Sequence, residues 1–289
     1  MSGSEIQALM ALLDDPDEGV YNHVRSRLME QGEAILPMLQ AQQGRASRCE
    51  VTAGRLEELM SGVLEAKAVA GLQGWIAAGA PAVLDGALWL ESVCGFGGQR
   101  EDGMVAFSAL RRDVWLELNE ELTALEQVRV VNHVLYSAYG FERATLTEQD
   151  GRHAVPAQVL SARKGSPLGL GLVYLALAES LDLSLHAVAV SGLFFLAYID
   201  PTWDASVGGK PPVWFYVNPF DKGQVVAPEE LQMIARELEP DWAPQLLDAK
   251  QVCLRMGQYL VRLCRESDQT PAAHRLTRLL DLFSGQRPA

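Results

Sequence analysis

Apolar residues recur at helical spacing over most of this chain, and only its second half carries compact apolar runs of strand length. Leu9, Leu12 and Leu13 precede Asp14-Asp15-Pro16-Asp17, where the acids can cap or start helices and Pro16 suits a first turn. Val20, Val24 and Leu28 continue the spacing to Gly32, and Ile35 to Leu39 begins another short helix. Further helices are predicted over 56–72, 83–93, 107–125, 128–139 and 156–160. Trp115, Leu118 and Leu122 are expected on one stripe, and Gly140 is placed to end its helix in a left-handed cap. A helix from Pro228 toward Leu238, a long one over 246–263 and a last one ending near Phe283 complete the pattern. The final pair reads as an αα-hairpin.

The segment from Gly165 onward differs from the rest. Ser166 can cap a helix and Pro167 can occupy its first position. Leu168 to Leu177 is apolar on nearly all sides, which belongs to a helix in the middle of a protein. Gly169 and Gly171 would each cost that helix about 1 kcal/mol relative to alanine, so a close approach of chain or ligand is expected there. His186–Val190 and Leu193–Ile199 read as a hairpin around Ser191-Gly192, with Trp214–Val217 as a third strand. A small antiparallel sheet against an all-apolar helix gives a predominantly helical α+β fold.

Composition narrows the function. With 289 residues, 48% of them hydrophobic, the chain can bury a large core. A formal charge of -13 argues against nonspecific nucleic-acid binding and against attraction to anionic membranes. The stretch from Asp241 onward runs the other way, with 7 Lys/Arg against 5 Asp/Glu. Cys49, Cys94, Cys253 and Cys264 show neither metal nor redox spacing, and His133 and His274 lack a partner at ligand spacing, so no metal or cofactor is expected. Gly95-Phe96-Gly97-Gly98 has no phosphate-loop continuation. The opening residues carry no signal-like run, and the apolar uncharged run 165–178 is short of the about 20 residues a bilayer requires. A cytoplasmic protein is expected.

Several stations then combine in order: the opening paired helices, Arg163-Lys164-Gly165-Ser166-Pro167, the Leu-rich helix, Gly192-Leu193-Phe194, and Val217-Asn218-Pro219-Phe220-Asp221-Lys222-Gly223. In this combination the chain resembles the bacterial SirB1-like, transglutaminase-like family, whose core is similar to that of papain-type cysteine proteases. The resemblance implies a HEAT-like helical region over 1–80, a transglutaminase-like core over 81–240 and a TPR-like helical hairpin over 241–289. In the wider superfamily the buried helix offers a cysteine, one strand a histidine and the next an aspartate, with serine typical at the first position in SirB1-like members. The matching positions here are Gly169, Leu193 and Asn218. Glycine supplies no nucleophile and leucine takes no proton, while asparagine has only an orienting amide.

A filled, inactive cleft and a noncatalytic interaction or scaffold role are therefore expected, with a protein partner. The alternatives are a pseudoenzyme that binds a small ligand, or a hydrolase or acyl transferase with a displaced site built from Ser166 or Ser191 with His186. Candidate contact residues are Ser166, His186, Asp200, Trp203, Asp204, Asp221, Arg255 and Arg262.

Overall fold

The N-terminal segments fold as the apolar spacing dictates, into α1 (Gly3–Ala11), α2 (Glu18–Met29), α3 (Leu36–Ala46) and α4 (Glu50–Ala77). This computed structural model describes residues 3–46, 50–96, 100–145, 150–190, 192–203 and 210–284. Asp17 caps α2, its carboxylate accepting the Gly19 N–H at 2.7 Å. Leu13, Val24, Leu28, Ile35, Leu39, Leu56 and Leu59 are buried in one apolar cluster. The Arg55 guanidinium donates to the Leu13 and Asp15 carbonyls, which ties the α1–α2 turn to α4.

The chain divides into two compact units, Met1–Gln73 and Gly74–Ala289. The division falls before residue 80, because Trp75 packs its ring on Phe283 within the second unit. That unit holds α5 (Val83–Glu91), α6 (Arg100–Glu117) and α7 (Ala124–Asn132), which runs on as a π-helical turn, His133–Ala138. There follow β1 (Glu142–Arg143), α8 (Pro156–Ala162), β2 (Lys164–Gly165), α9 (Pro167–Ser180), β3 (Leu185–Val190), β4 (Leu193–Ile199), β5 (Val213–Asn218) and β6 (Gln224–Val226). Then come α10 (Pro228–Leu238), β7 (Leu246–Leu247), α11 (Ala249–Glu266) and α12 (Thr270–Asp281).

β1 and β2 make a parallel ribbon, and the other strands form one antiparallel sheet in the order β6-β5-β4-β3-β7. Alternation assigns its two faces. Phe194 points to α9, where it abuts Gly171, while Val188, Val190, Phe195 and Ala197 pack with Leu231 and Ala235 of α10. The fold is thus a predominantly helical α+β arrangement around a small sheet.

Some local expectations give way. α6 starts at Arg100 and stops at Glu117, and its buried face is Gly103, Phe107, Leu110 and Val114. Trp115 lies one residue round from that stripe and is exposed. Gly103 sits against Ala157 of α8, a close approach that lets α6 begin early. The helix expected from Leu246 begins only at Ala249, because Asp248 and Gln251 form a capping box and Leu246–Leu247 pair with β3. The C-terminal hairpin does not stand apart: α11 packs on α5, and the Cys253 thiol reaches the Val83 carbonyl at 3.5 Å. Gly140 has φ +71°, the left-handed cap its position called for. Among the described residues, no helix is long and apolar enough to cross a membrane.

Candidate functional site

The site is built on the start of α9. Ser166 is 1% exposed, its N–H donates to the His153 carbonyl at 2.8 Å, and its hydroxyl accepts the Gly169 N–H at 3.2 Å. Pro167 fills the first helical position. The serine is therefore spent on capping. A Cβ built on Gly169 would fall inside van der Waals distance of the His153 carbonyl oxygen and within 2.9 Å of the Val159 side chain. The position that the resemblance matches to the nucleophile is thus closed by backbone.

Leu193 opens β4 and packs partly with the α10-side cluster. Its neighbour Phe194 is the side chain set against α9, and a Cβ on Gly171 would meet the Phe194 ring. Both sequence-predicted close approaches thus have named neighbours, His153 and Phe194. Asn218 follows Val217, which pairs with Leu196. Its side-chain oxygen accepts the Phe220 N–H at 3.1 Å and its carbonyl accepts the Gly223 N–H at 2.9 Å, so Asn218 organises a turn. Asn218 is not in the wall of the cleft described next.

Beside the α9 start opens a cleft of about 510 Å³. Ser166 to Leu168 form one wall, Gly192 to Phe194 of the hairpin the next, and α11 the third through Arg255, Gln258, Tyr259 and Arg262. This corrects the expectation of a filled cleft: with Leu193 turned partly to the α10 side, space remains in front of the helix start. The Arg262 guanidinium lies 5.1 Å from the Tyr259 ring and only 3.9 Å at best from Glu266, and Arg262 stays largely exposed. Arg255 is exposed and forms no ion pair among the described residues. Burial pushes the Tyr259 phenol above its ordinary range.

A second hollow, about 500 Å³, shares Ala189 and Arg255 with the first and is walled by Glu239, Asp241, Trp242 and Gln245. The Trp242 indole N–H donates to the Ala189 carbonyl at 3.1 Å.

The other candidates scatter. His186 lies on the same side of β3 as Val188 and Val190, toward α10, so Ser166 and His186 are not brought together at the α9 start. Asp200 is occupied by its own turn, accepting the Thr202 N–H and hydroxyl, which hold its carboxyl below the usual range. Trp203 packs partly buried on the α10-side cluster, and Asp221 is exposed in the turn after Asn218. Ser191 and Asp204 lie outside the described residues. No group of three or more His, Cys, Asp or Glu among the described residues is placed to hold a metal.

Three features escaped the sequence. His153 meets α9 through its carbonyl, while its ring nitrogen Nδ1 lies 3.1 Å from the Asp150 carboxylate. Asn132 on α7 accepts from the Tyr174 hydroxyl at 3.0 Å and donates to the Gly223 carbonyl at 2.9 Å, bracing the Asn218 turn against α9. Glu91, 3% exposed, accepts the Ala157 N–H at 2.8 Å and leaves its other oxygen without a partner. Burial raises its carboxyl to about 7. Glu91 caps α8, whose Val159 presses on Gly169.

The chain is similar to known proteins. A UPF0162 protein of Vibrio cholerae serotype O1 is 28% identical over 150 residues, which cover 52% of this chain and 52% of that protein. The human F-box only protein 21 is 23% identical over 184 residues, 64% of this chain and 28% of that protein, and the mouse protein is also 23% identical, over 158 residues. The chain therefore spans about half the length of the bacterial relative and about a quarter of the mammalian ones. No solved structure matches. A transglutaminase-like superfamily model matches residues 105–265, more than half the chain and all of α9, the sheet and most of α11, so the chain belongs to that superfamily.

Proposed function

We propose that this chain is a noncatalytic binding protein of the SirB1-like branch, acting in the cytoplasm through the open cleft beside a degenerate transglutaminase-like site. The observation that carries the reading is the contrast at the α9 start. Gly169 offers no nucleophile and has the His153 carbonyl where a side chain would go, yet the adjoining cleft keeps about 510 Å³ and four polar side chains of α11. A volume of this order suits a ligand site. A purely structural core would have no reason to leave arginine heads around it.

Fluorogenic ester and amide substrates, with and without an amine acceptor, test the absence of chemistry. The expected result is no turnover above buffer, and no fluorophosphonate adduct on Ser166. Turnover or an adduct that disappears in Ser166→Ala would establish the displaced hydrolase instead.

A further inference from the structure

We propose that the two hollows form one charge-polarised groove that takes the C-terminal end of an extended peptide, carboxylate and apolar last residue in the first hollow and a basic residue in the second. The proposal rests on the reading of the cleft as a binding site and adds its ligand class.

Charge is the first ground. Arg255 and Arg262 stand seven residues apart on α11, so they share a face and converge on the first hollow. Among the described residues, no carboxylate is in its wall. The acids nearby are engaged or aside: Asp150 takes Arg152 and His153, and Glu266 is 3.9 Å from Arg262 at best. The same hollow offers Leu168, Leu193 and Phe194 to an apolar side chain. The second hollow carries Glu239 and Asp241 against the one shared Arg255, a net negative wall that suits a cation. A ligand crossing both would be anionic at one end and cationic at the other.

Backbone geometry is the second ground, and it favours a peptide over a compact zwitterion. β7 pairs with β3 only at Ala187 and Val188. Among the described residues the pairing stops there, with the register setting Gln245 opposite Ala189, and this edge forms the pinch at Ala189 that both hollows share. The Ala189 carbonyl points away from β4, since it accepts from Trp242. In a strand the N–H and C=O of one residue point the same way, so the Ala189 N–H also faces outward at this edge. An extended ligand passing the pinch would meet the Ala189 N–H there. At the other end the α9 start leaves the Leu168 N–H without a partner inside the helix, beside the arginines.

Fluorescence anisotropy with labelled hexapeptides carrying an early lysine, a C-terminal leucine and a free carboxylate tests this. Binding should weaken at least about tenfold on C-terminal amidation, on Arg255→Glu and on Arg262→Glu, since a charge-assisted contact is lost each time. Exchanging the lysine for glutamate should weaken it in the parent and recover in the Glu239→Lys, Asp241→Lys double variant. These substitutions lie on exposed positions, and circular dichroism checks that each variant is folded. Equal affinity for free and amidated peptides would overturn the proposal. So would absence of peptide binding together with stabilisation by a small carboxylate such as hexanoate that is lost in Arg262→Glu, although the cleft would then still be a binding site. Ser166-dependent cleavage of the peptides would instead overturn the noncatalytic reading itself.

Discussion

Replacing Glu91 by glutamine isolates the energetic cost of a buried carboxylate beneath the site. The carboxyl is 3% exposed, one oxygen is engaged by the Ala157 N–H, and the other has no partner. Burial holds it near 7, against 4.5 for the ordinary group. An acid whose folded value is raised stabilises the fold fully only below its unfolded value, where both states are neutral. As pH rises from about 4.5 toward 7 the unfolded state releases its proton first, and stability falls. Above 7 both states are ionised and the loss is constant. A shift of roughly 2.5 units at 1.36 kcal/mol each amounts to about 3 kcal/mol.

Glu91→Gln keeps an acceptor for Ala157 but never ionises. Its amide inherits the unpartnered position, which costs about 1–3 kcal/mol at every pH. The diagnostic is therefore the pH dependence of the difference between the two proteins, not its value at one pH. Glu179, raised by burial while capping the Val83 N–H, contributes the same sign but cancels in that comparison. Urea melts at half-unit steps from pH 4.5 to 8.5 should show the parent losing about 3 kcal/mol relative to the variant. A difference that stays flat within about 1 kcal/mol would refute the reasoning and place Glu91 in contact with water or a counter-charge.

Other substitutions probe the same architecture. Gly169→Ser and Gly169→Ala should both destabilise, by about 1–3 kcal/mol or more, because any Cβ meets the His153 carbonyl; denaturant melts at parental stability would count against the close contact, and the serine variant should hydrolyse no ester. Asn132→Ala should cost about 1–3 kcal/mol by orphaning the Tyr174 hydroxyl and the Gly223 carbonyl, read by thermal unfolding. Trp242→Phe removes the bond to the Ala189 carbonyl and should cost about 1 kcal/mol while loosening this end of β3, visible as faster exchange of the Val190 amide, which pairs with Leu193. Unchanged exchange there would mean that the indole does not protect the edge.

The sequence announced those parts of the site whose signals are local. An all-apolar run with Ser166 and Pro167 at its start admits little but a capped, buried helix, and two glycines in its first turns foretold close contacts. The hairpin was legible from its two apolar runs about Gly192. β6 and β7 were not, since three and two residues are too short to display a period and exist as strands only because a neighbour pairs with them. Trp115 misled for a related reason: its apolar surface suggested a core stripe, whereas packing against α8 had already fixed the other face of α6. Glu91 reads as an ordinary helix-end acid, and only the N-terminus of α8, 66 residues away, makes it a buried cap. The groove is non-local in the same sense, because Arg255 and Ala189 become neighbours through folding alone.

That separation in sequence bears on how this fold divides its tasks. The three positions that the resemblance matches to the superfamily chemistry lie on α9, β4 and β5, where each is fixed by local contacts: Gly169 by His153 and Val159, Leu193 by the α10-side cluster, Asn218 by its own turn. The polar wall of the cleft comes from α11, a different element whose Arg255 and Arg262 are exposed on an amphipathic helix. Exchanging Gly169 or Asn218 therefore changes core packing and leaves the cleft wall in place, while exchanging the arginines changes the wall and leaves the core alone. The arginine wall and the matched positions Gly169 and Asn218 are therefore physically separable in this architecture. Substitution of the α11 arginines reports on the proposed groove without disturbing the fold that supports it.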